Sequence, residues 1–585
     1  MSVGSGSSAQ ENSPPATPFV SAHAHSWPTS AGPVIPVLKA EVHAGACGTM
    51  GGVPARVSFA DITPPIALGP LDGRYRPAVA PLVDHLSEAA LNRARIHVEV
   101  EWLIMLCNGT TSAPARSTSP SHGGQASANP SAPSATAGAP QAKPAVASAT
   151  NAGIVARPFP DALIPGPVVP GAPQLSDAEV SYLRNIPLTF GGEHIKELAS
   201  IEAETVHDVK AVEYFIKRRL EQAPAVLGST TVLPQASELV HFACTSEDIN
   251  NLSYALMVHG AVEQVWLPAA QALVADITSM ARDHAHVPLL SRTHGQPATP
   301  TTIGKELAVF AHRLGRQLAR IGQAEYLGKL NGATGTYGAH SVAVPTANWP
   351  AVSRAFVESL NLTWNPLTTQ IESHDWQAEL YSDIARFNRI AHNLATDVWT
   401  YISLGFFTQI PVPGATGSST MPHKINPIRF ENAEANLEIS CSLLDTLAST
   451  LVTSRLQRDL TDSTSQRNIG PAFGHSLLAL DNIRRGLDRL HVNAAAMLED
   501  LDDNWEVLGE PIQSAMRAAS VAGVPGMDNP YERLKDLTRG HRIDAAHLRD
   551  FIAGLGLPAD VQDRLTALTP ATYTGLAASL VEDYL

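Results

Sequence analysis

The amino-acid sequence predicts an all-α fold of three helical domains, the central one a bundle of long helices. In the segment 375–404, which holds no Gly or Pro, apolar residues recur at alternating steps of four and three. This spacing gives a helix a narrow apolar seam, as in bundles and coiled coils. Runs of comparable length at 251–286, 301–328 and 430–453 predict neighbouring helices, and strand-like alternation is scarce. Such helices also pack against other subunits, so we expect an oligomer.

Two helical segments are predicted nearer the N-terminus. Residues 82–107 carry apolar residues at helical spacing, with Arg93 as the one polar residue in the stripe. Ser176 followed by Asp177 and Glu179 is typical of a helix start, because a hydroxyl caps the first turn and acids favour the helix dipole.

Two segments of low complexity account for most of the low charged fraction, 16%. Residues 1–38 hold one charged side chain and residues 109–150 hold two. Neither can bury enough apolar surface to offset about 1–2 kcal/mol of backbone entropy per residue. We therefore predict a disordered N-terminal extension and a low-complexity insert that loops out between two helices. The predicted organisation is extension 1–56, N-terminal helical domain 57–235 with insert 109–170, central bundle 236–487 and C-terminal helical domain 488–585.

Composition excludes several classes of protein. The net charge of −15 disfavours sequence-independent nucleic-acid binding, which depends on Lys and Arg. No apolar run approaches the roughly 18–20 residues of a membrane helix. The four cysteines lack the C-x-x-C spacing of zinc sites and do not indicate a disulfide scaffold.

A cytoplasmic location is predicted, because scattered cysteines fit a reducing compartment and the first basic residue, Lys39, comes too late for a secretory signal. The Ser-rich, acid-poor N-terminus leaves organellar import as the alternative, although it lacks the Arg residues of a transit peptide.

The segment 414–427 is the richest in chemistry. Its glycines permit unusual backbone angles, and adjacent hydroxyls with Lys424 and Asn426 offer a base and several oxyanion donors. Spacing alone leaves open whether this is a catalytic loop or a plain connection before a helix.

Three blocks of sequence resemble the shared regions of the fumarase/aspartase superfamily, in the expected order. Residues 417–427 read GSSTMPHKINP and resemble its signature loop. Residues 245–251, TSEDINN, and 291–300, SRTHGQPATP, resemble the other two. Within the superfamily, the bacterial and plant type of adenylosuccinate lyase is most similar, on the strings LDGRY at 71–75, HDVKAVEYF at 207–215 and RDLTDST at 458–464. The likeness covers nearly all of 57–585 outside the insert.

This resemblance implies an all-α, homotetrameric lyase whose active sites are shared between chains. The implied reaction is β-elimination of fumarate from adenylosuccinate, leaving AMP, and from the succinyl-carboxamide ribotide SAICAR, leaving AICAR. The implied partners are small purine nucleotides, with no nucleic acid and no membrane. No metal or organic cofactor is implied.

The resemblance also assigns roles to residues. Ser418 matches the base that removes the carbon-bound proton, and His294 matches the acid that protonates the departing nitrogen, with His207 as competitor for that role. A serine hydroxyl is a weak base, so Lys424 or loop amides must stabilise its alkoxide. The remaining candidates bind substrate: Arg74, Tyr75, His207, Asp208, Thr245, Ser246, Gln370, Ser419, Lys424, Asn426, Asn432, Arg458, Ser463 and Arg467.

Among these, Arg458, Ser463 and Arg467 suit a phosphate, because guanidinium forks and a hydroxyl satisfy its oxygens. Thr245 and Ser246 are expected to hold a substrate carboxylate, with Gln370 donating an amide from the start of the long helix. An anionic substrate also requires a local reversal of the acidic net charge. We expect Arg74, Lys210, Lys424, Arg458 and Arg467 to supply it.

Two positions depart from the family pattern. Val206 replaces a polar Asn, which removes one side-chain contact to substrate, and Arg429 replaces Asp near the signature loop. Two other functions remain open: a lyase for argininosuccinate or another succinyl-amine, and a silent structural protein. The proposed phosphate ligands Arg458, Ser463 and Arg467 argue against another succinyl-amine substrate. The retained Ser418 and His294 argue against a silent structural protein.

Overall fold

The computed structural model describes residues 69–110, 164–411, 414, 421, 423–538 and 543–585. Within these residues the all-α prediction is confirmed, since helices make up nearly all regular structure. The predicted N-terminal extension, residues 111–163 of the predicted insert, and residues 417–420 and 422 of the signature loop lie outside them.

The α-helices, in chain order, are α1 (Arg76–Leu86), α2 (Glu88–Asn108), α3 (Asp177–Leu188), α4 (Gly192–Thr205), α5 (Asp208–Leu227), α6 (Ser246–Ala261), α7 (Leu267–Asp283), α8 (Ile303–Ile321), α9 (Gly338–Ala343), α10 (Trp349–Ser359), α11 (Asp375–Ser403), α12 (Ile428–Leu451), α13 (Thr461–Gln466), α14 (Ile469–Leu487), α15 (Ala494–Asp502), α16 (Gly509–Val521), α17 (Pro530–Thr538), α18 (Ala545–Ala553), α19 (Ala559–Ala567) and α20 (Ala577–Tyr584). Short 3-10 helices cover Leu233–Leu239 and Trp505–Leu508, and a π-helical turn covers Val262–Trp266.

Within the described ranges, four small two-stranded sheets lie between the helices. The antiparallel pairs are β1 (Pro288–Leu289) with β4 (Thr301–Thr302), β2 (Arg292–Thr293) with β3 (Gln296–Pro297), and β7 (Phe407–Gln409) with β8 (Leu490–Val492). The parallel pair is β5 (Leu327–Gly328) with β6 (Thr363–Trp364).

The predicted helix starts are confirmed at α3 and corrected near residue 87. Ser176 and Glu179 form a reciprocal capping box at the start of α3. The segment 82–107 is two helices, because Ser87 has extended backbone and its hydroxyl accepts the Ala90 N–H to begin α2. Arg93, the polar residue in the predicted stripe, is buried.

The long helices form the predicted bundle. α11 packs against α8 and α12, α12 against α14, and α7 against α8. Six residues of the predicted α11 seam are buried and Tyr401 is half-buried; the buried ones are Leu380, Ile384, Phe387, Ala391, Leu394 and Val398.

The residues that the structure describes form two apolar cores. The first joins the bundle to α2, α3 and α5, and the second lies among α16, α18 and α19. The division of the ordered chain into three domains stays a prediction.

The two edges of the insert are joined to each other. Thr110 N–H donates to Ile164 O at 3.0 Å, and Ile164 N–H donates to Thr110 Oγ1 at 2.9 Å. Gly109 has φ +68°, and a Cβ there would lie 2.1 Å from Ile164 O, so only glycine fits. Val168 is buried, so ordered packing resumes before the predicted end of the insert at 170.

One continuous helical rod sets the length of the bundle. α6, the π-helical turn and α7 follow one another from Ser246 to Asp283. At a rise of about 1.5 Å per residue, the rod is roughly 55 Å long. Thr245 therefore lies at one end of the bundle, and the 284–302 connection after α7 lies at the other.

Val206 ends α4 in the left-handed region, with φ 52° and ψ 32°, and its side chain points to solvent at 88% exposure. A β-branched residue is strained there, whereas Asn tolerates this conformation. Asn would therefore fit this backbone better than Val does.

We predict that Val206→Asn raises the free energy of unfolding by about 1 kcal/mol, because it relieves this strain. Urea denaturation followed by circular dichroism measures the change. The matched control is Val226→Asn, at a 70% exposed position inside α5. Equal effects of the two substitutions would contradict the prediction.

Candidate active site

The candidate residues lie toward opposite ends of the helix bundle. One end, which we call the Thr245 end, is where α6, α11 and α14 begin and α12 ends. It holds His207, Asp208, Thr245, Ser246, Gln370, Arg458, Ser463 and Arg467. The other end, which we call the His294 end, is where α7 and α11 end and α12 begins. It holds His294, Lys424 and Asn426.

A buried ion pair fixes the Thr245 end. Lys329 Nζ lies 2.8 Å from Asp248 Oδ1, and both side chains are 0% exposed. The same carboxylate accepts the backbone N–H groups of Thr245, Asn331 and Gly332 at 2.8–3.1 Å. It therefore joins the N-terminus of α6 to the segment after β5.

Gln370 lies five residues before α11, in the loop that leads to it, so the expected position at the helix start is wrong. Its Nε2 donates to Ala333 O at 2.9 Å. Nearby, Asn331 Nδ2 donates to Thr368 Oγ1 at 2.8 Å. These contacts hold the loop against the segment that Asp248 anchors.

His207 and Asp208 begin α5. Lys210 N–H donates to His207 Nδ1 at 3.2 Å, so the imidazole caps the helix. Asp208 Oδ2 accepts from the buried Arg95 at 2.6 Å. Burial opposes ionisation of Asp208, but the Arg95 guanidinium outweighs burial and lowers the pKa of the carboxyl.

Arg95, which the motifs do not mark, links the groups at this end. Its Nε donates to Asn250 Oδ1 at 2.9 Å, and Asn250 Nδ2 donates to Glu247 Oε1 at 2.9 Å. Arg95 is one of two buried arginines in α2, the other being Arg93.

Arg458 bridges two buried carboxylates. Its Nη1 donates to Asp462 Oδ2 at 2.9 Å, and its Nη2 lies 3.1 Å from Glu247 Oε1. Asp462 also faces the buried His374, whose Nε2 is 3.5 Å away. Ser463 is half-buried beside this pair, and its backbone N–H donates to Asp462 Oδ1 at 2.6 Å.

Arg467 contacts two further carboxylates. Its Nη1 donates to Glu88 Oε2 at 2.6 Å, and its Nη2 lies 3.7 Å from Asp208 Oδ2. The hydrogen bond to Glu88 raises the pKa of the Arg467 guanidinium.

These contacts form one network, which we call the arginine cluster: Arg95, Arg458, Arg467, Glu88, Asp208, Glu247 and Asp462. With all seven ionised, three positive and four negative charges give it a formal charge of −1. Lys210 is likewise paired, with Glu213 at 2.7 Å. Three of the five residues expected to reverse the negative charge, Lys210, Arg458 and Arg467, are thus paired with carboxylates of the same chain, and the reversal itself stays a prediction.

His241, which the motifs do not mark, lies close in sequence to the Thr245 end. It lies four residues before Thr245, and its Nδ1 is 2.5 Å from Oε1 of the fully buried Glu99. Burial alone would lower the pKa of His241, but the Glu99 carboxylate outweighs burial and raises it. The sequence signal for this position was a His four residues before the TSEDINN block.

At the His294 end, His294 and Gly295 form the two-residue turn between β2 and β3. Their φ values are 52° and 76°, and positive φ at both positions is required by a type I′ turn. The imidazole is exposed. Arg292 Nη2 donates to Asp500 Oδ1 at 2.7 Å, so the hairpin is held against α15.

Lys424 is exposed and Asn426 is half-buried, just before α12. Gln409 Nε2 donates to Ile425 O at 2.7 Å and holds this segment beside β7. Ser418 and Ser419 lie outside the described residues.

Arg74, Tyr75 and Asn432 lie together on the side of the bundle nearer the His294 end. Asn432 Nδ2 donates to Tyr75 Oη at 3.2 Å, and the Arg74 guanidinium is 5.8 Å from the Tyr75 ring centroid. Arg429 Nη1 donates to Asn482 Oδ1 at 2.9 Å, and Asn482 Nδ2 donates to Asn432 Oδ1 at 3.0 Å. The unusual Arg429 thus supports Asn432 through Asn482.

In the described part of the chain, no group of three or more His, Cys, Asp and Glu side chains could hold a metal ion. None of the helices described is both long enough and apolar enough to cross a membrane. Burial raises the pKa of Cys107 to about 12 and that of Cys441 to about 11, so both thiols are unreactive.

Sequence comparison finds two family matches. A family described as "Lyase" matches residues 170–439, and one described as "Adenylosuccinate lyase C-terminal" matches residues 454–574. The adenylosuccinate lyase of Escherichia coli is 44% identical over 517 residues, which cover 88% of this chain and 98% of that protein. The adenylosuccinate lyase of Haemophilus influenzae is 42% identical over 516 residues, with the same coverage.

Among solved structures, β-carboxy-cis,cis-muconate cycloisomerase from Acinetobacter calcoaceticus is similar in fold. It has a TM-score of 0.57 at 15% sequence identity, and the match covers 86% of this chain and 97% of that one.

We predict that Lys329→Met lowers the free energy of unfolding by about 3–5 kcal/mol, because it leaves the Asp248 carboxylate buried without a counter-ion. Urea denaturation measures the loss. The double variant Asp248→Asn/Lys329→Met should lose less than the sum of its single variants, since it removes the unpaired charge. Lys305→Met, at a partly exposed ion pair with Glu306, is the control and should lose about 1 kcal/mol or less. Equal losses at Lys329 and Lys305 would contradict the prediction.

Proposed function

Because the chain belongs to the adenylosuccinate lyase family, we propose that it eliminates fumarate from adenylosuccinate, leaving AMP, and from SAICAR, leaving AICAR. One observation carries the proposal. The chain is 44% identical to the Escherichia coli enzyme over 98% of that protein.

The proposed reaction needs a base, an acid and a site for a dianion. Ser418 removes a proton from the carbon next to a carboxylate, and Lys424 and Asn426 hold the resulting aci-carboxylate. The carbon–nitrogen bond then breaks, its electron pair goes to the nitrogen, and His294 supplies the proton that completes the leaving amine. These steps use side chains alone, so the proposed mechanism needs no metal or organic cofactor.

At the Thr245 end, the beginning of α6 offers Thr245 and Ser246 to a substrate carboxylate, where the helix dipole favours an anion. Gln370 adds an amide from the adjoining loop. Arg458, Ser463 and Arg467 bind the phosphate of the nucleotide, and His207 lies beside them at the start of α5. Arg74, Tyr75, Asp208, Ser419 and Asn432 complete the proposed binding set.

The complete site is proposed to form in a homotetramer. Thr245 and His294 flank a helical rod roughly 55 Å long, far longer than a nucleotide. One substrate molecule cannot contact both residues of a single chain, so neighbouring chains must supply the missing groups. We propose a cytoplasmic location, with organellar import through residues 1–56 as the alternative.

We predict that the purified tetramer releases fumarate from adenylosuccinate and that chelator does not reduce the rate. Ser418→Ala should lower kcat by about a thousandfold, because the variant loses the proposed general base, while substrate binding changes little. Fumarate absorbance gives the rate, and calorimetry gives binding. A folded wild-type tetramer without turnover would refute the function. A Ser418→Ala variant that kept a tenth of wild-type kcat would refute the base.

Mixing two inactive variants tests whether sites are shared. His294→Gln and Arg458→Gln alter opposite ends of the bundle, so random hybrid tetramers contain some sites with both wild-type residues. Equal mixing after mild dissociation should restore about a quarter of wild-type activity if two chains supply these residues. Native mass spectrometry verifies the hybrids. Hybrids that form without any recovery would contradict the shared site.

A further inference from the structure

The arginine cluster contains a carboxylate in the place that the proposed function gives to a phosphate. Arg467 is a proposed phosphate ligand, yet its Nη1 already donates to Glu88 Oε2 at 2.6 Å. An arginine fork binds carboxylates and phosphates in the same geometry. Glu88 and a substrate phosphate would therefore compete for the Arg467 guanidinium.

Glu88 is the carboxylate of the cluster that is easiest to displace. Asp208, Glu247 and Asp462 each contact a buried or mostly buried arginine, and their side chains are 28%, 4% and 7% exposed. The Glu88 side chain is 57% exposed, and its ion pair is with Arg467, itself 44% exposed. An exposed carboxylate returns to water at little cost, whereas a buried one does not.

The charge of the cluster requires such a displacement. With its seven groups ionised its formal charge is −1, so a phosphate would enter a region that repels it. When Glu88 leaves, the remaining three arginines and three carboxylates are neutral, and the Nη1 donor of Arg467 is released.

We propose that Glu88 competes with the nucleotide phosphate for Arg467. Glu88 releases Arg467 when the substrate binds, and it helps to expel the phosphate when the product leaves. This inference rests on the proposed function. Glu88 is thus a residue that limits nucleotide affinity. Its position in the first turn of α2 holds it beside Arg467, while α2 also carries Arg95.

Calorimetry with AMP and with inorganic phosphate on the full-length tetramer tests this proposal. Glu88→Gln should tighten AMP binding about 2- to 5-fold, because an exposed ion pair no longer has to be broken. Inorganic phosphate should also bind more tightly, and the KM for adenylosuccinate should fall. Glu193→Gln, which alters the exposed pair with Lys196 on α4, is the matched control and should leave AMP affinity unchanged.

A second substitution separates competition from a structural effect. In an Arg467→Gln background, Glu88→Gln should no longer tighten AMP binding, because the contested guanidinium is absent. A tightening that persists in that background, or no tightening in the wild-type background, would overturn the proposal. If the wild-type enzyme turns over adenylosuccinate but Glu88→Gln shows no gain in AMP affinity, only this inference is refuted. If the wild-type enzyme shows no turnover, the proposed function is refuted.

Discussion

The buried pair of Asp248 and Lys329 is the interaction on which the rest of the Thr245 end depends. One carboxylate takes a fully buried ammonium group and three backbone N–H groups, so it joins the start of α6 to the chain after β5. The loop that carries Gln370 packs on that same segment. A buried charge without its partner is costly, so any arrangement that separates Asp248 from Lys329 is disfavoured. Thr245 and Ser246 are positioned as a consequence.

Charge compensation is the second constraint. The arginines of the arginine cluster are not free cations, because each contacts one or two carboxylates. Buried guanidinium groups without such partners would pay a large desolvation cost. An anionic ligand must therefore exchange with an internal carboxylate, and the exposure of each carboxylate decides which one is exchanged.

The lengths of the helices determine how the site is assembled. The connections that carry chemistry alternate between the two ends of the bundle because successive long helices run antiparallel. His294 and the segment before α12 share one end, whereas Thr245 and Arg458 share the other. A site that uses both sets needs more than one chain, so oligomerisation is part of the proposed chemistry.

The sequence by itself determined the all-α class, the α11 seam, the α3 cap and the family, because helical periodicity, capping and long motifs are local signals. It did not reveal the break at Ser87, the loop position of Gln370, the strained backbone of Val206 or the roles of Arg95, Glu88 and Lys329. These features depend on backbone geometry and on contacts between residues that are distant in the sequence. The tertiary structure alone decided that the three arginines of the arginine cluster are paired with carboxylates, because an ion pair between residues such as Glu88 and Arg467, 379 positions apart, leaves no periodic or local trace in the chain.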